Sequence, residues 1–503
     1  MATVETSSRQ ARTYGNWRRP TSAGLLGLGA VGTGLLLVGM LVVVLVLMTR
    51  GMLDAAITAV VILLLLVLLM VRDSHGKNAL SRISNRAGWW VARSRGTNVY
   101  RSGPTGRTPW GTNQLPGLAS TIRLSEHRDS YNRPFALLFH PSTANYSVVI
   151  GTEPAGASLV DGEQIDVWVA DWGHWLANLA DEAGVESATV TIETAPDSGT
   201  RLRREVETNL DENAPAFARE MLIEAVDRYP AGSSIVRAYV TITFNAAARQ
   251  GGKRRKPDDM ARELASRLPG LTQTLQATGA GAAHPLTAQQ LCEVIRIAYD
   301  PAASVLIDES HAAGQPPELD WNDVGPSAAQ ANWASYRHDS GHSITWSMTG
   351  APRGNVQSGV LGRLLAPHRD IARKRITLLY RPISPARAAA MVEADLRAAE
   401  FRATADSKAK ARDVMSMRAA AATAAEEASG AGLVNFGMLV TATVRTPAEE
   451  ADAVAAIDNL GATARLRLRP VYGSQDSAFA AALPLGLVLS KHIKIPAELR
   501  NNL

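Results

Sequence analysis

Cysteine is almost absent: Cys292 is the only one in 503 residues, so neither an internal disulfide nor a thiolate metal cluster can form. Leu291, Val294, Ile295 and Ile297 surround it at helical spacing, and the thiol reads as a small buried hydrophobe. That usage fits reducing surroundings. The phosphate loop Gly-x-x-x-x-Gly-Lys-Ser/Thr occurs nowhere. Without it there is neither its backbone cradle for phosphates nor its lysine for the γ-phosphate. No nucleophile-elbow pattern supports a serine triad. Charge is missing from two long stretches, Ala23–Met48 and Met52–Val71, whose one acid is Asp54.

Those two stretches dominate what is present. They are separated only by Thr49, Arg50 and Gly51, and each reaches the ~20 residues a helix needs to cross a bilayer. The pattern predicts a membrane hairpin, which excludes a freely diffusing enzyme. Arg9, Arg12, Arg18 and Arg19 precede it, and Arg72, Lys77, Arg82, Arg86, Arg93 and Arg95 follow it against Asp73 alone. Positive flanks place both ends in the cytoplasm of a two-pass inner-membrane protein. A cleaved signal peptide is the alternative, but the first run is too long for its apolar core and a second run follows at once. The whole chain is mildly basic, with 52 Lys and Arg against 47 Asp and Glu. The excess around the hairpin reads first as affinity for anionic lipid.

Organisation along the chain gives four parts. Residues 1–72 form the hairpin with its basic tail, and 73–118 a basic juxtamembrane segment and linker. Trp89 and Trp90, among arginines, belong at headgroup level, and Pro104, Pro109 and Pro116 break Gly103–Gly117. Residues 119–330 and 331–503 read as two related α+β cytoplasmic units, with long helices packed on sheets. In the first, strands are expected at Phe135–His140, Asn145–Ile150, Glu186–Glu193 and Ser234–Asn245, and helices at Asp161–Ala183, Gly199–Tyr229, Pro257–Gly279 and Thr287–Ala298. In the second, strands are expected at Ser343–Met348, Arg375–Tyr380, Val434–Arg445 and Arg465–Val471. Its helices are Pro385–Ala428, Pro447–Leu460 and Gln475–Leu483.

Few motifs carry chemistry. Gly27-Leu28-Gly29-Ala30-Val31-Gly32 fits the dinucleotide fingerprint, but that fingerprint works only between a strand and a helix. Inside a membrane span, Gly24, Gly27, Gly29, Gly32 and Gly34 instead make a small-residue face. That face suits the second span or another subunit, so a homo-oligomer is among the expected assemblies. Lys253, Arg254, Arg255 and Lys256 form a charged loop before Pro257, most simply a solvated connection, alternatively a partner or headgroup contact. His338-Asp339-Ser340-Gly341-His342 is the one close histidine pair, but its Asp, Ser and Gly argue for a turn rather than a helical zinc face. Trp168, Trp172 and Trp175 share a helix face, as core or as a protein-contact patch. No cofactor, metal site or catalytic residue is expected.

At Asn16-Trp17-Arg18-Arg19-Pro20 and the hairpin behind it, the chain resembles the small two-helix inner-membrane subunit of type IV secretion systems. The rest resembles the amino-terminal non-ATPase domain of the large conjugation ATPase. The resemblance lies in Ile376–Tyr380 with Arg381-Pro382, the helix after Pro385, the strand Phe436–Arg445, the helix from Pro447, and Phe479–Gly486. In that family the last element leads into a motor, which is expected to be absent here.

The resemblance implies a non-enzymatic scaffold of a type IV-like conjugation or secretion machine, in keeping with the Ala-, Arg- and Gly-rich composition of high-GC actinobacteria. Its expected partners are the membrane, a cytoplasmic secretion ATPase and other secretion-system membrane subunits. A competing resemblance is to EccE, a membrane component of the type VII (ESX) apparatus, through the two spans and the Trp172–Val190 stretch. An enzyme reading would use His338, Asp339 and His342 in a membrane-tethered hydrolase. A DNA-anchor reading would use the Lys253–Lys256 run; direct nucleic-acid binding is not expected.

Overall fold

The computed structural model describes residues 12–15, 17, 29–70, 73, 79–104, 106, 108–154, 156, 159–197, 199–211, 213–228, 234–247, 254–352, 354–404 and 411–492. Two compact units result. The smaller contains α1 (Gly29–Arg50), α2 (Met52–Met70), α3 (Ala79–Ser94) and a short helix at Leu489–His492. The larger joins residues 12–15 to Val99–Met348 and Pro352–Val488.

The larger unit is mixed α/β, built on one antiparallel sheet. Its first half runs β1 (Val99–Arg101), β2 (Arg123–Arg128), β3 (Pro134–His140), β4 (Asn145–Glu153), α4 (Gly162–Asp181), β5 (Val185–Pro196), α5 (Thr200–Asn209), α6 (Ala216–Arg228), β6 (Ser234–Asn245), α7 (Pro257–Leu275), β7 (Ala282–Pro285), α8 (Ala288–Tyr299) and α9 (Ala303–Ala312). The second runs β8 (Ala328–Ala331), β9 (Tyr336–His338), β10 (Gly341–Gly350), α10 (Gly362–Leu365), β11 (Arg373–Pro382), α11 (Pro385–Thr404), α12 (Ala411–Ala428), β12 (Val434–Val444), α13 (Glu450–Thr463), β13 (Arg467–Pro470) and α14 (Gln475–Ala481).

Local chemistry accounts for these elements. β6 is rich in β-branched and aromatic residues, and α8 opens on a capping box in which Thr287 and Gln290 exchange hydrogen bonds. The single helix expected over 199–229 is two, because Asp211 accepts from the Asn213 amide at 2.9 Å and Pro215 cannot donate. The helix expected over 385–428 is likewise α11 and α12, which pack on each other; residues 405–410 lie outside those described.

The strand order is β1-β8-β9-β10-β12-β11-β5-β6-β4-β3-β2, with β7 on β4 and β13 on β10. It is palindromic: β8-β9-β10-β12-β11 mirrors β2-β3-β4-β6-β5, and the halves meet where β5 pairs β11. The two expected units therefore share one sheet, and the boundary expected after residue 330 falls inside β8.

Side chains alternate between faces along a strand, so the sheet has two different surfaces. One is apolar. Phe135, Val148, Val240 and Ile242 pack under α4 and α7, and Trp346, Ile376, Val440 and Ala442 under α13. The other is lined with buried hydroxyls, among them Ser147, Thr191, Thr243, Ser343, Thr377 and Thr443. α8, α14 and the segment Ala482–Val488 cover it through Leu291, Ile295, Phe479, Leu483 and Leu485. Burying each such side chain contributes about 1.5–3 kcal/mol.

Candidate functional site

The hairpin is the first candidate. α1 and α2 pack on each other around a turn at Gly51, whose φ of +97° suits glycine. Gly32–Arg50 is long and apolar enough to cross a membrane, whereas the apolar stretch of the second helix, Met52–Leu68, is shorter. The helices approach closely at Gly39: a Cβ there would lie 2.7 Å from Ile62 Cγ2. Of the expected glycine face, Gly29 begins α1, Gly32 is buried, and a Cβ on Gly34 would meet nothing within 4 Å. Gly24 and Gly27 lie outside the described residues, as do Arg18, Arg19, Arg72 and Lys253. Gly39 was legible only as one more small residue in an apolar run.

The chain before the hairpin is tied to the larger unit. Tyr14 exchanges backbone hydrogen bonds with Val356 at 2.7 and 2.8 Å, and its hydroxyl donates to Asp166 Oδ1 at 2.7 Å. Burial raises the Tyr14 phenol, and the Asp166 carboxylate raises it further. Nothing in the sequence pattern marks this contact, because it joins residues 152 positions apart.

The His338–His342 constellation does not converge. Adjacent strand residues point to opposite faces, so Ser343, which bonds His338, and His342 lie on different sides of β10. His338 is fully buried, with Nδ1 2.6 Å from Tyr299 O and Nε2 2.8 Å from Ser343 Oγ. Burial pulls the imidazole down to about 4, against the Tyr299 carbonyl, which favours protonation. The neutral ring thus donates from Nδ1 and accepts at Nε2 from the serine hydroxyl. His342 instead faces Glu450 of α13, Nδ1 to Oε1 3.3 Å. Asp339 Oδ1 accepts from the Ser327 and Ala328 amides. Among the described residues, no group of three or more His, Cys, Asp or Glu could hold a metal ion.

The first half repeats the same relay. His140 Nε2 lies 3.0 Å from Ser147 Oγ, which lies 2.9 Å from Thr243 Oγ1. In the second half Ser343 Oγ lies 2.7 Å from Thr443 Oγ1. These chains pair positions that correspond in the palindrome, and they do structural work between strands.

At the seam, Glu193 of β5 is gripped by the Arg373 and Arg375 guanidiniums of β11. Burial raises the carboxyl, but the two arginines, aided by Arg237, outweigh it and hold it at about 2. Beside them, burial lowers the Lys374 ammonium to about 8.

The tryptophan face turns inward. Trp175 is buried, Trp172 stacks on it at 4.9 Å and meets Tyr380 edge-on, and half-buried Trp168 packs on Gly279. A cleft of about 530 Å³ between α4 and α7 is floored by Trp175, Leu179 and Leu271. In the basic run, Arg255 is paired with Glu263, whereas Arg254 and Lys256 are exposed. The stretch expected as a linker holds its shape through Gly103 N to Thr112 O, Thr108 Oγ1 to Thr112 O and Asn113 N to Asp323 Oδ1. It displays Trp110, 98 % exposed at a φ of +60°.

Residues 21–81, which contain the hairpin, match a family model described as Domain of unknown function (DUF8461). No curated protein matches the chain.

Proposed function

We propose that the chain is a two-pass, non-enzymatic membrane scaffold of a type IV-like conjugation or secretion machine, whose larger unit docks a separate cytoplasmic ATPase. The observation that supports the two-pass topology is Tyr14. The chain before the apolar helices and the chain after them belong to one folded unit, so an intervening membrane segment crosses an even number of times. Two crossings by α1 and α2 meet that condition, and the arginine-rich flanks put both ends inside. A scaffold role is favoured over a hydrolase because His338 is consumed by internal hydrogen bonds and His342 looks to the other face.

Two measurements test the proposal. Protease added to sealed, right-side-out cells should leave the larger unit intact, and cleavage there would sink the topology. Affinity capture of the full chain from detergent-solubilised membranes should recover an ATPase with its own phosphate loop. Repeated capture without one would remove the docking role.

A further inference from the structure

α3 separates into sectors. At ~100° per residue, Arg82, Arg86 and Arg93 fall within a stripe about 40° wide, and no acidic residue occurs in the helix. Beside the stripe, Ile83, Ala87, Trp90 and Val91 form an apolar sector of about 100°. That sector faces outward: Ile83 is 56 % exposed, Trp90 67 % and Val91 40 %. Trp89, on the far side of the arginines, lies under the Arg93 guanidinium at 5.4 Å. α3 follows the apolar hairpin in sequence and packs on α2.

We infer that α3 is an anionic-lipid sensor, lying in the bilayer plane with its apolar sector among acyl chains and its arginines on lipid phosphates. An exposed Trp and Ile sector beside a purely cationic stripe complements an anionic bilayer surface, which offers hydrocarbon and negative charge at the same depth. A protein groove would match the apolar sector without requiring the one-sided charge. The inference rests on the proposed membrane anchoring, since the hairpin brings α3 to the surface.

The full chain reconstituted into nanodiscs provides the test, with hydrogen exchange of the α3 amides as the readout. Discs of phosphatidylcholine are compared with discs in which phosphatidylglycerol replaces a third of it. Exchange is expected to slow at least about tenfold in the anionic discs, since each basic residue near the surface adds about 1 kcal/mol. The gain should shrink in high salt. A combined Arg82→Gln, Arg86→Gln and Arg93→Gln variant should lose the lipid dependence, and the corresponding lysine variant should keep it. Equal α3 exchange in both discs, with the protein incorporated, overturns the sensor while sparing the anchor. Failure to incorporate into either disc overturns both.

Discussion

Thr191 on β5 and Thr377 on β11 stand directly opposite each other where the halves of the sheet meet, their Oγ1 atoms 3.3 Å apart. They also occupy corresponding positions. Val190 pairs with Val240 and Ile376 with Val440, each one residue before its threonine. A local two-fold relation thus passes between the two hydroxyls, and each half builds its sheet outward from this pair. One sheet with a common seam runs through both halves of the larger unit.

The symmetry is broken by what lies above. Thr377 Oγ1 also donates to Ala482 O at 2.7 Å. Thr377→Val keeps the shape and removes that bond, so it should cost about 1–2 kcal/mol. Thr191→Val removes only the mutual contact and should cost less. Thermal unfolding of the detergent-solubilised chain reads the difference, and equal effects would contradict this role for the Ala482 bond.

Acid should weaken the larger unit in two stages. His338 sits at about 4 against an ordinary 6.5, so the unfolded chain takes up its proton first, and that contribution fades as pH falls from about 6.5 to 4. Glu193 sits at about 2 against 4.5; its contribution is complete above about 4.5 and is lost on the way to 2. Each is on the order of 3 kcal/mol. Glu193→Gln strands two buried guanidiniums and should cost about 3–5 kcal/mol at neutral pH. It should also flatten the lower acid stage, which a pH series of unfolding curves would reveal.

Gly39 and Gly34 both lie on α1 but face different surroundings. A side chain at Gly39 meets Ile62 at 2.7 Å, whereas at Gly34 it meets open space. Gly39→Leu should therefore loosen the α1–α2 pair, and Gly34→Ala should leave it intact. Cysteines introduced across the two helices, on a background lacking Cys292, would report this as a loss of crosslinking for the first substitution alone.

Much of the strand pattern was legible because buried strands with β-branched runs announce themselves. Ser234–Asn245 is expected and found with the same limits, and Asn145–Ile150 is extended only by Gly151–Glu153. Short strands such as β8 and β9 were not legible: three or four residues carry no periodicity. The seam was hidden as well. Arg375 was legible only as the start of a strand, and nothing local marks Arg373 and Arg375 as partners of Glu193, 180 and 182 residues away. Long-range pairing of this kind leaves no local trace, and neither does the Tyr14 contact that ties the amino-terminal tail to Asp166 of α4 and to Val356.

Gly486 is the position where the hydroxyl-lined face tolerates least. Its φ is +69°, and a Cβ would lie 2.2 Å from Ser147 Oγ and 2.6 Å from Thr243 Oγ1. Its carbonyl accepts from Thr243 at 3.1 Å, so the segment cannot move away without giving up that bond. The hydroxyls cannot yield either, because Ser147 is held by His140 and Thr243. Gly486→Ala thus combines strain in the left-handed region, about 1 kcal/mol or more, with overpacking that costs about 1–3 kcal/mol. It should destabilise the chain more than Gly437→Ala, where a Cβ meets only Leu379 Cδ1 at 4.0 Å. Hydrogen exchange would localise the damage. Amides of β4, β6 and Ala482–Val488 should exchange faster, while those of β10 and β12 in the other half keep their protection.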